Sequence, residues 1–177
     1  MTWRSTLQKW IRPSTTRSTV ALWAKSLLNA ALFFALFMVA MPWLAQHLAP
    51  QALPFPAVVR NGLAGLLALL GLGAWIACLD TFSRAGRGTP LPADAPSRLV
   101  VTGLFGRLRN PIMAAELAVI WAEALYLASL GVLLYAVAMS ALAHVMVVAV
   151  EEPELRARFG ERYAAYCRQV PRWWPRL

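Results

Sequence analysis

The chain alternates long apolar stretches with short polar ones, and the apolar stretches have the length of membrane-spanning helices. No Asp, Glu, Lys or Arg occurs between Ser26 and Val59, or between Leu130 and Val150. A helix crosses the hydrocarbon of a bilayer, which is about 30 Å thick, with about 20 mostly apolar residues. Four stretches have or approach this length: Ser26–Leu48, Ala57–Leu79, Ile112–Ser129 and Leu130–Val150. The pattern predicts an all-α integral membrane protein with four transmembrane helices.

These spans divide the chain into five segments. A basic amino-terminal segment (1–25) precedes the first pair of transmembrane helices (26–79), and a connection rich in Gly and Pro (80–109) follows it. A transmembrane helical hairpin is expected at 110–150, because almost no loop separates spans three and four. In the tail (151–177), apolar residues recur at helical spacing and predict an amphipathic helix along the bilayer surface. They are Leu155, Phe159, Tyr163 and Tyr166.

The basic residues predict the orientation of these spans. Five of them precede the first span, five lie between spans two and three, six follow span four, and Arg60 alone falls on the other side. Because Lys and Arg near short loops stay on the cytoplasmic side, we expect a multi-pass protein of the inner (cytoplasmic) membrane with both termini in the cytoplasm. The net charge of +9 is then explained by topology and by attraction to anionic lipids. Nucleic-acid binding is not needed to explain this charge.

The amino-acid composition argues against a soluble domain, a disulfide and a metal site. The chain is 59% hydrophobic and 14% charged, whereas an average soluble domain has about 25% charged residues. Its two cysteines, Cys78 and Cys167, lack metal-ligand spacing, so neither a disulfide nor a metal site is expected.

In span two, three glycines fall near one helical face and predict close packing against a neighbouring helix. They are Gly62, Gly65 and Gly73.

Three ionisable residues lie inside predicted spans. Glu116 and Glu123 are seven residues apart in span three, and His144 is in span four. Charged groups at the centre of a bilayer cost roughly 2.5–3.5 kcal/mol on insertion scales, so such residues are functional candidates. They line a shared polar cavity or, alternatively, make hydrogen bonds between helices.

A series of short motifs occurs in a fixed order from Gly86 to the carboxyl terminus. These are Gly86-Arg87-Gly88-Thr89-Pro90, Leu99-Val100-Val101-Thr102-Gly103, Arg109-Asn110-Pro111, His144, Glu151-Glu152-Pro153, Phe159-Gly160-Glu161-Arg162-Tyr163 and Val170-Pro171-Arg172. Their order and spacing resemble the bacterial branch of the isoprenylcysteine carboxyl methyltransferases, which are related to phospholipid N-methyltransferases. The resemblance covers roughly the second half of the chain.

The resemblance implies an integral membrane methyltransferase that takes S-adenosylmethionine from the cytoplasm and a lipidic or small amphiphilic acceptor from the bilayer. It also implies the site residues. The cofactor-binding candidates are Arg109, Asn110, Pro111, His144, Glu151, Glu152 and Tyr163, and the catalytic candidates are Arg109, Glu152 and Arg172. Their chemistry fits, because S-adenosylmethionine offers a carboxylate to an arginine, and an ammonium and hydroxyls to carboxylates.

The chain departs from these relatives at the start of span three. It has Met113-Ala114-Ala115 where they usually carry Tyr-x-Gly, and the side chain of Met113 lacks the hydroxyl of a tyrosine. This departure motivates an alternative, in which the protein is a non-catalytic membrane subunit that keeps a degenerate methyltransferase fold.

Overall fold

The structure, a computed structural model, describes residues 19–86 and 98–174. Most of the predicted segment 1–25, most of the Gly/Pro-rich stretch of the connection and residues 175–177 lie outside the described residues. The described residues are almost entirely helical. Their contacts divide them into two compact units, here called the motif unit (19–28, 76–86, 98–111 and 145–174) and the hairpin unit (29–75 and 112–144).

The first predicted span is one continuous helix with a local irregularity. Helix α1 (Thr19–Phe33) continues through a π-helical segment, Phe34–Ala40, into α2 (Met41–Leu48). Pro42 stands in the first turn of α2. Because proline lacks an N–H and its ring clashes with the carbonyl four residues before it, the wider π-helical turn allows the helix to continue past this position.

The later helices follow the predicted apolar stretches closely. Helix α3 (Ala57–Thr81) ends in a π-helical turn, Phe82–Gly86, and α4 (Pro111–Leu127) is followed after two residues by α5 (Leu130–Met146). A further π-helical turn, Val147–Glu151, leads from α5 into α6 (Glu152–Phe159) and ends two residues before a proline, Pro153. The last helix is α7 (Glu161–Gln169).

Three helical stretches among the described residues are long and apolar enough to cross a membrane: Ala24–Leu48, Ala57–Ala85 and Leu130–Phe159. They support the prediction of an all-helical membrane protein. Helix α4 has 17 residues, which at 1.5 Å per residue is about 26 Å, slightly less than the thickness of the hydrocarbon.

The hairpin unit has a core of aliphatic side chains, against which partly buried aromatic side chains pack. Its buried core is formed by Met38 from the first helix, three residues of α4 and two of α5: Val119, Ile120, Ala124, Val132 and Ala136. At one end, the loop before α3 pairs with the turn between α4 and α5, since the Leu53 N–H donates to the Ala128 carbonyl at 2.7 Å and the Leu130 N–H to the Gln51 carbonyl at 2.9 Å.

The predicted glycine packing face is wrong, and the close contacts lie elsewhere. A Cβ atom added at Gly62, Gly65 or Gly73 would meet no atom of the described residues within 4 Å. One added at Gly71 would lie 2.9 Å from the Ala115 carbonyl oxygen, and one at Gly131 would overlap the Ala45 carbonyl oxygen. Helix packing in this unit therefore depends on Gly71 and Gly131.

In the motif unit, the tail packs against other residues of the same unit. Gly160 has φ +55 and ψ −129, a conformation that is accessible essentially only to glycine, and it divides the predicted tail helix into α6 and α7. The apolar face of α7 contacts Leu99, Leu155 and Phe159. The residues of this face are Tyr163 and Tyr166, and Val170, which follows the end of α7, packs with them; all three are buried. The side chains that predicted a bilayer-facing surface thus pack within the motif unit.

Candidate functional site

The Arg109-Asn110-Pro111 motif lies between a 3-10 turn, Gly103–Gly106, and the start of α4. Pro111 is the first residue of α4, where its missing N–H costs nothing because the first N–H groups of a helix have no partner within the helix. The backbone N–H of Arg109 donates to the Pro171 carbonyl at 2.9 Å. The amide of the buried Asn110 donates from Nδ2 to the Arg172 carbonyl at 3.3 Å. These two bonds fix the tail to the motif.

A carboxylate from α6 lies between two guanidinium groups. Arg109 Nη1 donates to Glu152 Oε1 at 3.0 Å, while Arg172 donates from Nε to Oε1 at 2.6 Å and from Nη2 to Oε2 at 2.9 Å. Glu152 is buried, and its side chain retains 11% of its exposure, against 15% for Arg109 and 30% for Arg172. The hydrogen bond with Glu152 raises the pKa of Arg172. All three predicted catalytic residues therefore meet in one partly buried cluster.

The guanidinium of Arg109 is only partly used by these contacts. Nη1 also donates to the Cys167 sulfur at 3.3 Å, whereas the buried Nε has no acceptor among the described residues. A buried donor without a partner costs about 1–3 kcal/mol. The group therefore retains hydrogen-bonding capacity on the edge formed by Nε and Nη2, the edge that can bind a carboxylate bidentately.

Aromatic side chains of α7 close one side of this cluster. Tyr163 is 2% exposed. Burial raises its pKa, and a hydrogen bond with Cys167 raises it further. The Tyr166 hydroxyl donates to the Phe105 carbonyl at 2.6 Å, so the tail is also fixed to the 3-10 turn. These contacts connect α7 to Arg109, through Cys167, and to the 3-10 turn.

Not every predicted site residue joins the cluster. Pro111 is buried beside Asn110, but Glu151, which ends the π-helical turn, is exposed. His144 is exposed too and belongs to the hairpin unit. Cys167, in contrast, was not predicted. Its position four residues after Tyr163, one helical turn on, was the available signal.

The two carboxylates of α4 lie in the hairpin unit. The Trp75 indole N–H donates to Glu116 Oε1 at 3.3 Å, which is the interhelical hydrogen bond considered as the alternative for this residue. Glu123 differs, because its Oε2 is buried and has no hydrogen-bond partner among the described residues. The described part of the chain contains no group of three or more His, Cys, Asp or Glu side chains arranged to hold a metal ion.

A comparison with protein families matches residues 60–162 to the phospholipid methyltransferase family model. The match includes Arg109, Asn110 and Glu152, and it covers more than half of the 177 residues. The chain belongs to the phospholipid methyltransferase family. Membership implies a membrane methyltransferase and confirms the resemblance noted from the motifs, since this family includes the isoprenylcysteine carboxyl methyltransferase-like proteins. No curated protein matches the chain.

Proposed function

We propose that this phospholipid methyltransferase family member transfers a methyl group from S-adenosylmethionine to a lipidic or small amphiphilic acceptor at the cytoplasmic face of the inner membrane. The observation that carries the proposal is the partly free guanidinium of Arg109, held by Glu152 within the segment that matches the family. S-adenosylmethionine carries a carboxylate that such a group binds through two parallel hydrogen bonds.

The neighbouring residues fit the rest of the cofactor. Asn110 uses Nδ2 on the tail, which leaves its Oδ1 as an acceptor for an amino group such as that of adenine. Tyr163 and Pro111 are buried and supply apolar surface for the cofactor. Glu151, which is exposed, remains a candidate that lies outside this cluster. When bound, S-adenosylmethionine supplies an electrophilic methyl group.

Methyl transfer to a carboxylate or thiolate neutralises charge, so the protein needs mainly to align the reactants and exclude water. The buried aromatic residues of α7 suit this role. An amine acceptor would in addition have to lose a proton to a base. In either case the acceptor is a lipidic or small amphiphilic molecule of the bilayer.

The proposed topology has four spans with both termini in the cytoplasm. Within the described part of the chain, three helices are long and apolar enough to cross, and we take α4 as the fourth crossing because α5 follows it after two residues. A crossing of α4 at 17 residues needs only modest local thinning of the bilayer. This arrangement puts Arg109 and Glu152 on the side where S-adenosylmethionine is available.

Calorimetric titration of the detergent-purified protein with S-adenosylhomocysteine tests the proposal. Arg109→Gln removes the charged donors, and we expect it to weaken binding at least about tenfold, since hydrogen bonds to charged groups contribute about 1.5–3 kcal/mol. Arg107→Gln is the matched control, because Arg107 is exposed two residues away. Absence of heat with the wild-type protein would refute the proposal.

The alternative, a non-catalytic membrane subunit, rests on Met113 in place of the relatives' tyrosine. The two functions differ in turnover and not in binding. Incubation of the purified protein with extracted membrane lipids and S-adenosylmethionine carrying a labelled methyl group separates them. Labelled lipid from the wild type supports catalysis. If the wild type binds S-adenosylmethionine but labels no lipid, while Met113→Tyr does label lipid, the result supports the non-catalytic subunit.

A further inference from the structure

The carboxylate of Glu152 is nearly saturated with hydrogen bonds. A carboxylate has about four acceptor positions, and Oε1 receives Arg109 Nη1 and Arg172 Nε while Oε2 receives Arg172 Nη2. The three side chains together carry two positive charges and one negative charge. Such a group attracts an anion and repels an ammonium or a sulfonium. Glu152 in this arrangement is therefore poorly suited to contact the cationic part of a ligand.

The side chain of Arg172 is not the main attachment of the tail. The Pro171 carbonyl accepts the Arg109 N–H, and the Arg172 carbonyl accepts the Asn110 amide. The Tyr166 hydroxyl adds a third bond, to the Phe105 carbonyl. These contacts use backbone carbonyls or a different residue, so they persist when the Arg172 guanidinium is removed. The guanidinium is thus available for a different role.

That role follows from the competition for Arg109. A carboxylate and an arginine side chain prefer to pair through two parallel hydrogen bonds, yet Arg109 reaches Glu152 through Nη1 alone. Arg172 instead makes the two-bond pair, with Nε and Nη2 on the two oxygens. While Arg172 holds both oxygens, Glu152 cannot turn onto the Nε–Nη2 edge of Arg109.

We propose that Arg172 is a positioning residue that keeps Glu152 occupied and so leaves the Nε–Nη2 edge of Arg109 free for the carboxylate of the cofactor. The inference rests on the proposed function, and it assigns to this cluster the anionic end of the ligand. Glu152 orients Arg109 through one hydrogen bond without contacting the ligand. Without Arg172, Glu152 competes with the ligand for Arg109.

The first measurement compares two ligands, S-adenosylhomocysteine and its decarboxylated analogue, by calorimetry on the full chain in detergent. We expect Arg172→Gln to weaken S-adenosylhomocysteine binding at least about tenfold, which corresponds to one lost charge-assisted pair. Binding of the decarboxylated analogue stays within about twofold of wild type, because it has no group for Arg109. Arg172→Lys, which keeps the charge but not the two-bond geometry, falls between wild type and Arg172→Gln.

The second measurement adds Glu152→Gln to the Arg172→Gln variant. A neutral amide competes weakly for Arg109, so we expect the double variant to bind S-adenosylhomocysteine several-fold more tightly than Arg172→Gln alone. The matched control is Glu154→Gln in the same background, since Glu154 lies on the same helix and pairs with Arg158 at 2.9 Å, outside the cluster. This control should bring no recovery. Thermal unfolding of each variant confirms that it is folded.

Three results would overturn the inference: equal weakening of both ligands by Arg172→Gln, unchanged affinity in that variant, or a double variant that binds more weakly than Arg172→Gln alone. The last result would mean that Glu152 contacts the ligand itself. A wild-type protein that binds neither ligand would refute the proposed function, and the inference with it.

Discussion

At the scale of single residues, the cluster depends on side chains that are far apart in the sequence. Arg109 and Glu152 are 43 positions apart, and Glu152 and Arg172 are 20 apart. The motifs, by their resemblance to a methyltransferase family, made each of these three residues a candidate. That Arg172 binds Glu152 with two hydrogen bonds while Arg109 uses one depends on the orientation of three elements, which no local pattern encodes.

Tyr166 offers a test of how the tail is attached. Its hydroxyl donates to the Phe105 carbonyl from a buried position. Tyr166→Phe leaves that carbonyl without this donor, so we expect the free energy of unfolding to fall by about 1–3 kcal/mol. Denaturant titration in detergent measures the loss. Tyr126→Phe is the control, because Tyr126 is 60% exposed. Equal stability of Tyr166→Phe and wild type would contradict the assigned bond.

At the scale of elements, the sequence predicted where helices lie better than how they continue or pack. The apolar stretches located the spans, because hydrophobicity is a local property of the chain. The structure adds that one π-helical segment ends two residues before Pro42 and another two residues before Pro153, and the helix continues past each proline. Gly160 ends α6 with positive φ. The predicted single tail helix missed this break because the apolar spacing continues across it.

Packing between helices in the hairpin unit is tested at Gly131. A Cβ there would overlap the Ala45 carbonyl oxygen and lie 3.0 Å from that of Ala49. Since backbone atoms cannot move aside easily, we expect Gly131→Ala to destabilise the protein by about 1–3 kcal/mol. The loss appears as a lower melting temperature in detergent. Gly73→Ala should leave that temperature unchanged or raise it slightly, since none of the residues that the structure describes comes within 4 Å of the added Cβ. The same effect at both positions would contradict the predicted difference.

At the scale of the whole molecule, the number of crossings fixes which side each terminus occupies. Four spans put both termini on one side, whereas three crossings, with α4 outside the membrane, would put them on opposite sides. The excess of basic residues flanking the spans favours the first arrangement, with both termini in the cytoplasm.

Reporter fusions test this topology. We expect a fluorescent protein fused at either terminus to be active in the cytoplasm, and an alkaline phosphatase inserted after Gln51 to be active in the periplasm. The fluorescent protein becomes active only in the cytoplasm, and alkaline phosphatase becomes active only in the periplasm. An active carboxy-terminal alkaline phosphatase, with an active amino-terminal fluorescent protein, would show an odd number of crossings.

The sequence by itself determined the membrane environment, the helical class and the family, because each depends on local hydrophobicity or on an ordered set of short motifs. It also brought Arg109, Glu152 and Arg172 forward as candidates. Only the tertiary structure decided which arginine takes both oxygens of Glu152, which donor of Arg109 finds no acceptor in the described part of the chain, and which glycines lie at close helix contacts. These depend on distances between elements remote in the chain, and such distances arise only when the elements pack.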